Sequence, residues 1–171
     1  VAPCKTIGIT GSAGKTTTTT LVGEMAKQRY KDEGGRMKDE ESKNSSAVQS
    51  IYPSVFVGGN IGDPLINYVD EMTADDIAIL ELSSFQLEQM TISPNIAAIL
   101  NITPNHLDRH GTMEAYTNAK ARILEFQTDK DTAILGKDDK GAWGLRNKAK
   151  GSLFTFSLHD LDEGLNGAYL H

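Results

Sequence analysis

The stretch "GITGSAGKTTTTTLVGEM" (residues 8–25) decides how the rest of the chain is read. Five consecutive threonines, Thr16 to Thr20, have the composition of a β-strand or of low complexity, yet Gly11, Gly14 and Lys15 stand directly before them. Two glycines permit a tight turn whose backbone N–H groups converge on an anion. From that turn Lys15 reaches phosphate oxygens, and Thr16 stands where a loop hydroxyl binds Mg2+. The spacing departs from the common pattern, which wants a glycine five residues before Gly14, where this chain has Ile9. Context carries the reading instead. An apolar strand, "KTIGIT" (5–10), runs into the turn, "GKT" is intact, and "LVGEMAK" (21–27) prolongs a helix whose positive end faces the loop. Threonine is a weak helix former, so this run is placed at the mouth of that helix. The expected phosphate-binding set is Gly11, Ser12, Ala13, Gly14, Lys15, Thr16 and Thr17.

The chain has 171 residues, 39% of them hydrophobic, which suits one domain with a real core. Its net charge of -6 excludes a broad nucleic-acid-binding face. It does not exclude a nucleotide, because a phosphate loop works through backbone N–H groups and one lysine. The single cysteine, Cys4, rules out an internal disulfide and fits a reducing cytoplasm. No apolar run reaches membrane-spanning length, so no membrane partner is expected. The chain begins "VAPCK", without methionine, as an excised segment would.

Strands are expected at 5–10, 54–58, 76–82, 95–102, 132–135 and 152–156, and helices at about 15–30, 62–71, 113–127 and 139–148. Several strands are almost continuously apolar, as strands covered on both faces are. The alternation implies an α/β domain with a mainly parallel sheet flanked by helices, with ligands at the carboxyl ends of the strands. Residues 29–53 are charged and poor in apolar side chains, and read as a flexible insertion.

Those carboxyl ends carry polar residues. "VFVGGNIG" ends in a glycine turn presenting Asn60, and "IAILELSSFQLE" puts Glu81 after an apolar strand, followed by Ser83, Ser84 and Gln86. An acidic residue in that place holds Mg2+ or its water in phosphate-loop enzymes, or is a paired structural carboxylate. "AAILNITPNHLDRHG" brings Asn101, His106, Asp108, Arg109 and His110 into one loop. In "GTMEAYTNAKARILEF", Lys120 lies four residues after Tyr116 and three before Ile123, on the apolar face of a helix. A lysine there either snorkels at the edge of the face or loses its proton in a chemical role.

Taken together, "GSAGKTTTTTL", "VGGNIG", "ELSSFQLE", "LNITPNHLDRHGTMEAY" and "AKARI" resemble the Mur ligases, in their order and over roughly residues 5–140. The pair "GGNIG" and "ELSSFQLE" is most similar to the member that joins D-glutamate to UDP-N-acetylmuramoyl-L-alanine in peptidoglycan synthesis. Sister ligases and folylpolyglutamate synthase share the loop and the inward lysine but differ there. The resemblance implies an ATP-dependent amide ligation through an acyl phosphate. It implies Lys15 on the β and γ phosphates, Thr16 and Glu81 on a first Mg2+, and His106 with a CO2-derived carbamate on Lys120 at a second. Asn60, Ser83 and Gln86 then meet the muramoyl-alanine end of the substrate. Lys15, His106 and Lys120 form the catalytic set, and a monomer is expected.

The chain departs from the family pattern at Ala13, where asparagine is usual, and at Asn105, where aspartate is usual. By this resemblance residues 1–171 are expected to be the central ATPase domain, incomplete at its C-terminal end because the adenine-contacting "HN…N" stretch is unmatched, without the family's N-terminal uridine-binding and C-terminal amino-acid-binding domains. Three other readings stand beside it: a nucleotide- or anion-binding module without turnover, suggested by the missing domains; the central domain of another Mur ligase or of folylpolyglutamate synthase; and a small phosphate-loop kinase, which would give Lys120 no role.

Overall fold

The computed structural model describes residues 2–34, 53–62, 64–105 and 107–170. Seven strands form one sheet: β1 (Lys5–Thr10), β2 (Val55–Gly59), β3 (Ile77–Glu81), β4 (Ile96–Ile99), β5 (Thr132–Gly136), β6 (Ser152–Ser157) and β7 (Asn166–Tyr169). Their order is β2-β3-β1-β4-β5-β6-β7, and every neighbouring pair is parallel. The α/β class expected from the alternation of apolar runs is therefore the observed one.

Helix α1 (Lys15–Gly34) begins one residue before the threonine run, so those threonines are helical rather than a strand. It covers β1, β2 and β3 on one face, where Ile9, Ile79 and Ala98 are buried beneath Val22 and Ala26. The opposite face carries α2 (Ser84–Gln89), α3 (Leu107–His110), α4 (Met113–Glu125) and α5 (Lys140–Trp143). In α4, Tyr116, Ala119, Lys120, Ile123 and Leu124 recur at helical spacing and are all buried. Tyr116, Ile123 and Leu124 join Leu87, Ile99 and Leu135 in the largest apolar cluster among the described residues, each large side chain there contributing about 1.5–3 kcal/mol. The Thr112 hydroxyl accepts from Ala115 N–H at 3.1 Å and fixes where α4 starts.

Some expected elements are shorter. The helix at 62–71 is a single 3-10 turn, Leu65–Tyr68, because Gly62 takes φ +63 and Pro64 precedes the turn in extended conformation. The helix at 139–148 is split into α5 and a 3-10 turn at Arg146–Lys148, with Gly144 between them. Strand β7 and helices α2 and α3 were not expected, α3 forming within the segment read as a loop. Helix α1 runs four residues past its expected end, and residues 35–52 of the expected insertion lie outside the described residues. No helix among the described residues is long and apolar enough to cross a membrane.

Candidate phosphate and metal site

Sheet register assembles the site. Ile9 of β1 and Gly59 of β2 both pair with Glu81 of β3, so three carboxyl ends finish level with one another. Thr10 pairs with Ile99 of β4, which brings Asn101 beside the loop that follows β1. From here α1 leaves on one face and α2 and α4 lie on the other, the crevice where open α/β sheets bind ligands.

Residues 11–14 make the expected loop. Gly14 adopts φ +80, a left-handed conformation that glycine takes freely. The first N–H groups of α1 have no acceptor within the helix, and the helix dipole reinforces them. The Lys15 ammonium lies over the same loop, donating to the carbonyls of Gly11 at 3.0 Å and Ser12 at 3.4 Å. The Asn101 side chain grips the loop at one residue: its Oδ1 accepts from Ala13 N–H at 2.9 Å and its Nδ2 donates to Ala13 O at 3.1 Å. Its own carbonyl accepts from Ser12 N–H at 2.9 Å. The Ser12 hydroxyl is held by Thr103, on both its carbonyl and its N–H, and lies 3.1 Å from the Tyr116 hydroxyl.

Glu81 is buried, at 2% exposure, and both its oxygens are engaged. The Thr16 hydroxyl donates to Oε2 at 2.7 Å and the Asn60 amide to Oε1 at 3.0 Å. Gly59, with φ +104, makes the second contact possible; a Cβ there would collide with the Glu81 carbonyl oxygen. The Asn60 N–H also donates to that carbonyl, at 2.8 Å.

Lys120 points inward as its helical position implied, and is 1% exposed. Its Nζ donates to Gly11 O at 2.9 Å and to the Thr10 hydroxyl at 3.3 Å, and lies 4.7 Å from the centre of the Tyr116 ring. Burial, and then the charge of Lys15, lowers its pKa from 10.5 to about 7. A cavity of about 260 Å³ opens between Lys15, Asn60, Ser83, Ser84, Phe85, Tyr116 and Lys120.

The structure thus brings Lys15, Thr16, Asn60, Glu81, Ser83 and Lys120 to one place. His106 lies outside the described residues. Gln86 does not line the cavity. Its Oε1 accepts from Ser83 N–H at 2.9 Å and from the Ser83 hydroxyl at 2.8 Å, in a capping box that starts α2. The bracing by Asn101 and the wall formed by Tyr116 were not read from the sequence. Asn101 acts across 88 residues, which leaves no local pattern. Among the described residues no three His, Cys, Asp or Glu cluster as a metal site.

A parallel α/β sheet whose first strand runs into a glycine-lysine-threonine loop, answered by a carboxylate on the neighbouring strand, defines a phosphate-loop domain. The chain belongs to the Mur ligase family: the family's middle-domain model matches residues 9–170. It is 45% identical over 168 residues to a UDP-N-acetylmuramoylalanine–D-glutamate ligase of Clostridium botulinum (strain 657 / Type Ba4), covering 98% of this chain and 31% of that protein. A ligase of the same name from Thermoanaerobacter sp. (strain X514) is 45% identical over 163 residues, covering 95% of this chain and 31% of the relative. The chain therefore spans about a third of the length of these relatives. Solved structures share the fold. MurF ligase from Thermotoga maritima in complex with ADP superposes with a TM-score of 0.63 at 19% identity, covering 91% of this chain and 33% of that one. MurF from Acinetobacter baumannii gives 0.61 at 23% identity, covering 91% and 31%.

Proposed function

We propose that this chain is the nucleotide-handling part of an ATP-dependent ligase that joins D-glutamate to UDP-N-acetylmuramoyl-L-alanine through an acyl phosphate. The observation that carries this reading is the Thr16–Glu81 hydrogen bond, set directly beside Lys15 and the N–H groups opening α1. A phosphate fits this cradle: the loop offers backbone donors, the helix end is positive, and Lys15 supplies a cation. Mg2+ fits as well, since a hydroxyl and a carboxylate 2.7 Å apart are both hard oxygen donors. Thr16 and Glu81 would hold that ion, which would supply positive charge to offset the charge of the phosphates.

The protein's own part is positioning and charge compensation, with no enzyme nucleophile. Gly11 to Thr17 hold the phosphate chain, and Lys15 stabilises the charge on the transferred group. Asn60 fixes the orientation of Glu81. Asn60 and Ser83 line the cavity and would meet the muramoyl-alanine end of the substrate, with Gln86 acting through its grip on Ser83. Lys120 with a pKa of about 7 has an appreciable neutral fraction at neutral pH, and the neutral amine is the form that takes up CO2. As a carbamate, with His106, it would serve a second Mg2+. The relatives' names support D-glutamate as the added amino acid, and the ADP in a structural neighbour supports the nucleotide.

The test is phosphate release by the full-length protein with ATP, Mg2+, UDP-N-acetylmuramoyl-L-alanine and D-glutamate. Release that requires both substrates supports the reading; release indifferent to both refutes it.

A further inference from the structure

A second polar chain adjoins the cavity and none of the roles above uses it. His110, on α3, is nearly enclosed: its side chain is 3% exposed. Its ring is stacked on Phe85 at 5.0 Å between centres with an interplanar angle of 7°, and abuts Tyr116 at 5.1 Å. Both ring nitrogens are engaged. Nδ1 lies 3.2 Å from Glu88 Oε1, and Nε2 lies 2.9 Å from the Ser84 hydroxyl. A carboxylate only accepts, so Nδ1 carries the proton, and in the neutral imidazole Nε2 then accepts from Ser84. Ser84 is 2% exposed and lines the same cavity as Lys15 and Lys120. At the other end Glu88 is 45% exposed, so the chain runs from the cavity wall to solvent. The charged groups around the ring are Glu88 on α2, the Arg109 guanidinium 4.8 Å over Phe85, and Lys120 beyond Tyr116.

We propose that Ser84, His110 and Glu88 form a proton relay that deprotonates the incoming amine. The proposal rests on the ligase reading above. The amino acid arrives as an ammonium ion, which has no lone pair to attack with. One of its protons passes to Ser84 Oγ while the Ser84 hydroxyl proton moves to His110 Nε2. Glu88 stabilises the imidazolium and takes its Nδ1 proton, which passes to water. The freed amine then attacks the acyl carbon: the C–N bond forms, the C–O bond to phosphorus breaks, and the leaving phosphate takes the second proton. Ser84 touches the amine; His110 and Glu88 are positioning residues that act through it.

The test separates the two half-reactions in the full-length protein. Acyl phosphate formation is followed by ADP release and borohydride trapping. The transfer step is followed with D-glutamate and with hydroxylamine, an amine already unprotonated near neutral pH. For His110→Gln and Ser84→Ala the D-glutamate transfer is expected to fall about 100-fold. Acyl phosphate formation and hydroxamate formation should stay within about threefold of the parent. Glu88→Gln, an exposed change that keeps the fold, should lower D-glutamate transfer about tenfold with the same selectivity. Equal losses with both amines, or an equal loss of acyl phosphate formation, would show the cluster to be structural and overturn the proposal. A parent protein that forms no acyl phosphate from UDP-N-acetylmuramoyl-L-alanine fails the ligase reading itself, and the relay falls with it.

Discussion

Lys120→Met should stabilise the folded chain near neutral pH, by an amount that vanishes as the pH rises. The lysine is 1% exposed, and its pKa falls from 10.5 to about 7 through burial and then through Lys15. At about 1.4 kcal/mol per pH unit, holding the cation inside the fold costs about 5 kcal/mol relative to the neutral amine. Between the two pKa values the unfolded chain keeps a proton that the folded chain has released. Stability therefore rises with pH across the window from about 7 to 10.5, is fully present above it, and is lost as the pH falls through about 7. Methionine removes the charge and keeps much of the volume. It also withdraws a donor from Gly11 O and the Thr10 hydroxyl, about 1–3 kcal/mol in the other direction. The expected net gain is about 2–4 kcal/mol at pH 7, shrinking toward zero or below by about pH 10. Urea unfolding of both chains at stepped pH in CO2-free buffer measures it, and taking the difference between chains cancels the titrating groups remote from Lys120. A stability difference independent of pH would refute the reasoning.

Two further perturbations bear on the strand ends. Gly59→Ala places a Cβ at φ +104 against the Glu81 carbonyl oxygen and should cost about 2 kcal/mol or more, read as a lowered urea midpoint with an unchanged slope. Glu81→Gln keeps the shape but removes the charge facing Thr16; Mg2+-dependent binding of ATP, measured by calorimetry, should weaken at least tenfold while Mg2+-free binding changes little.

What was legible in the sequence was local. The threonine run read as a helix mouth because a strand, two glycines and a lysine preceded it. Lys120 read as lying on the apolar face because Tyr116 and Ile123 share it, and that period left open whether the side chain is buried or snorkels at the edge, which the packing of the loop decides. Shorter elements escaped for physical reasons. Helix α2 has six residues, too few to show a period, and its start is marked only by Ser83 and Gln86, which the family resemblance assigns to substrate. Strand β7 is exposed throughout, so "NGAY" shows no apolar alternation. The contacts that finish the site join residues far apart in the chain: Asn101 to Ala13 and His110 to Ser84 depend on which strands become neighbours.

Ala13 tests whether loop chemistry and loop geometry separate here. The family's usual asparagine would bring an amide near the transferred phosphate, and Ala13 brings none. Its backbone, however, is held at both polar atoms by Asn101, so the loop's shape does not depend on the side chain at 13. That side chain is exposed, which leaves room for a larger one. Ala13→Asn should therefore add one charge-assisted hydrogen bond without disturbing the cradle, about 1 kcal/mol net, and raise kcat for substrate-dependent phosphate release by the full-length protein about fivefold. Asn101→Ala should instead loosen the cradle, raising KM for ATP about tenfold. If the two act separately, the double variant shows the product of the single effects. A fall in kcat for Ala13→Asn alone would mean that the added amide competes for Asn101, and that shape and chemistry at this loop are one property.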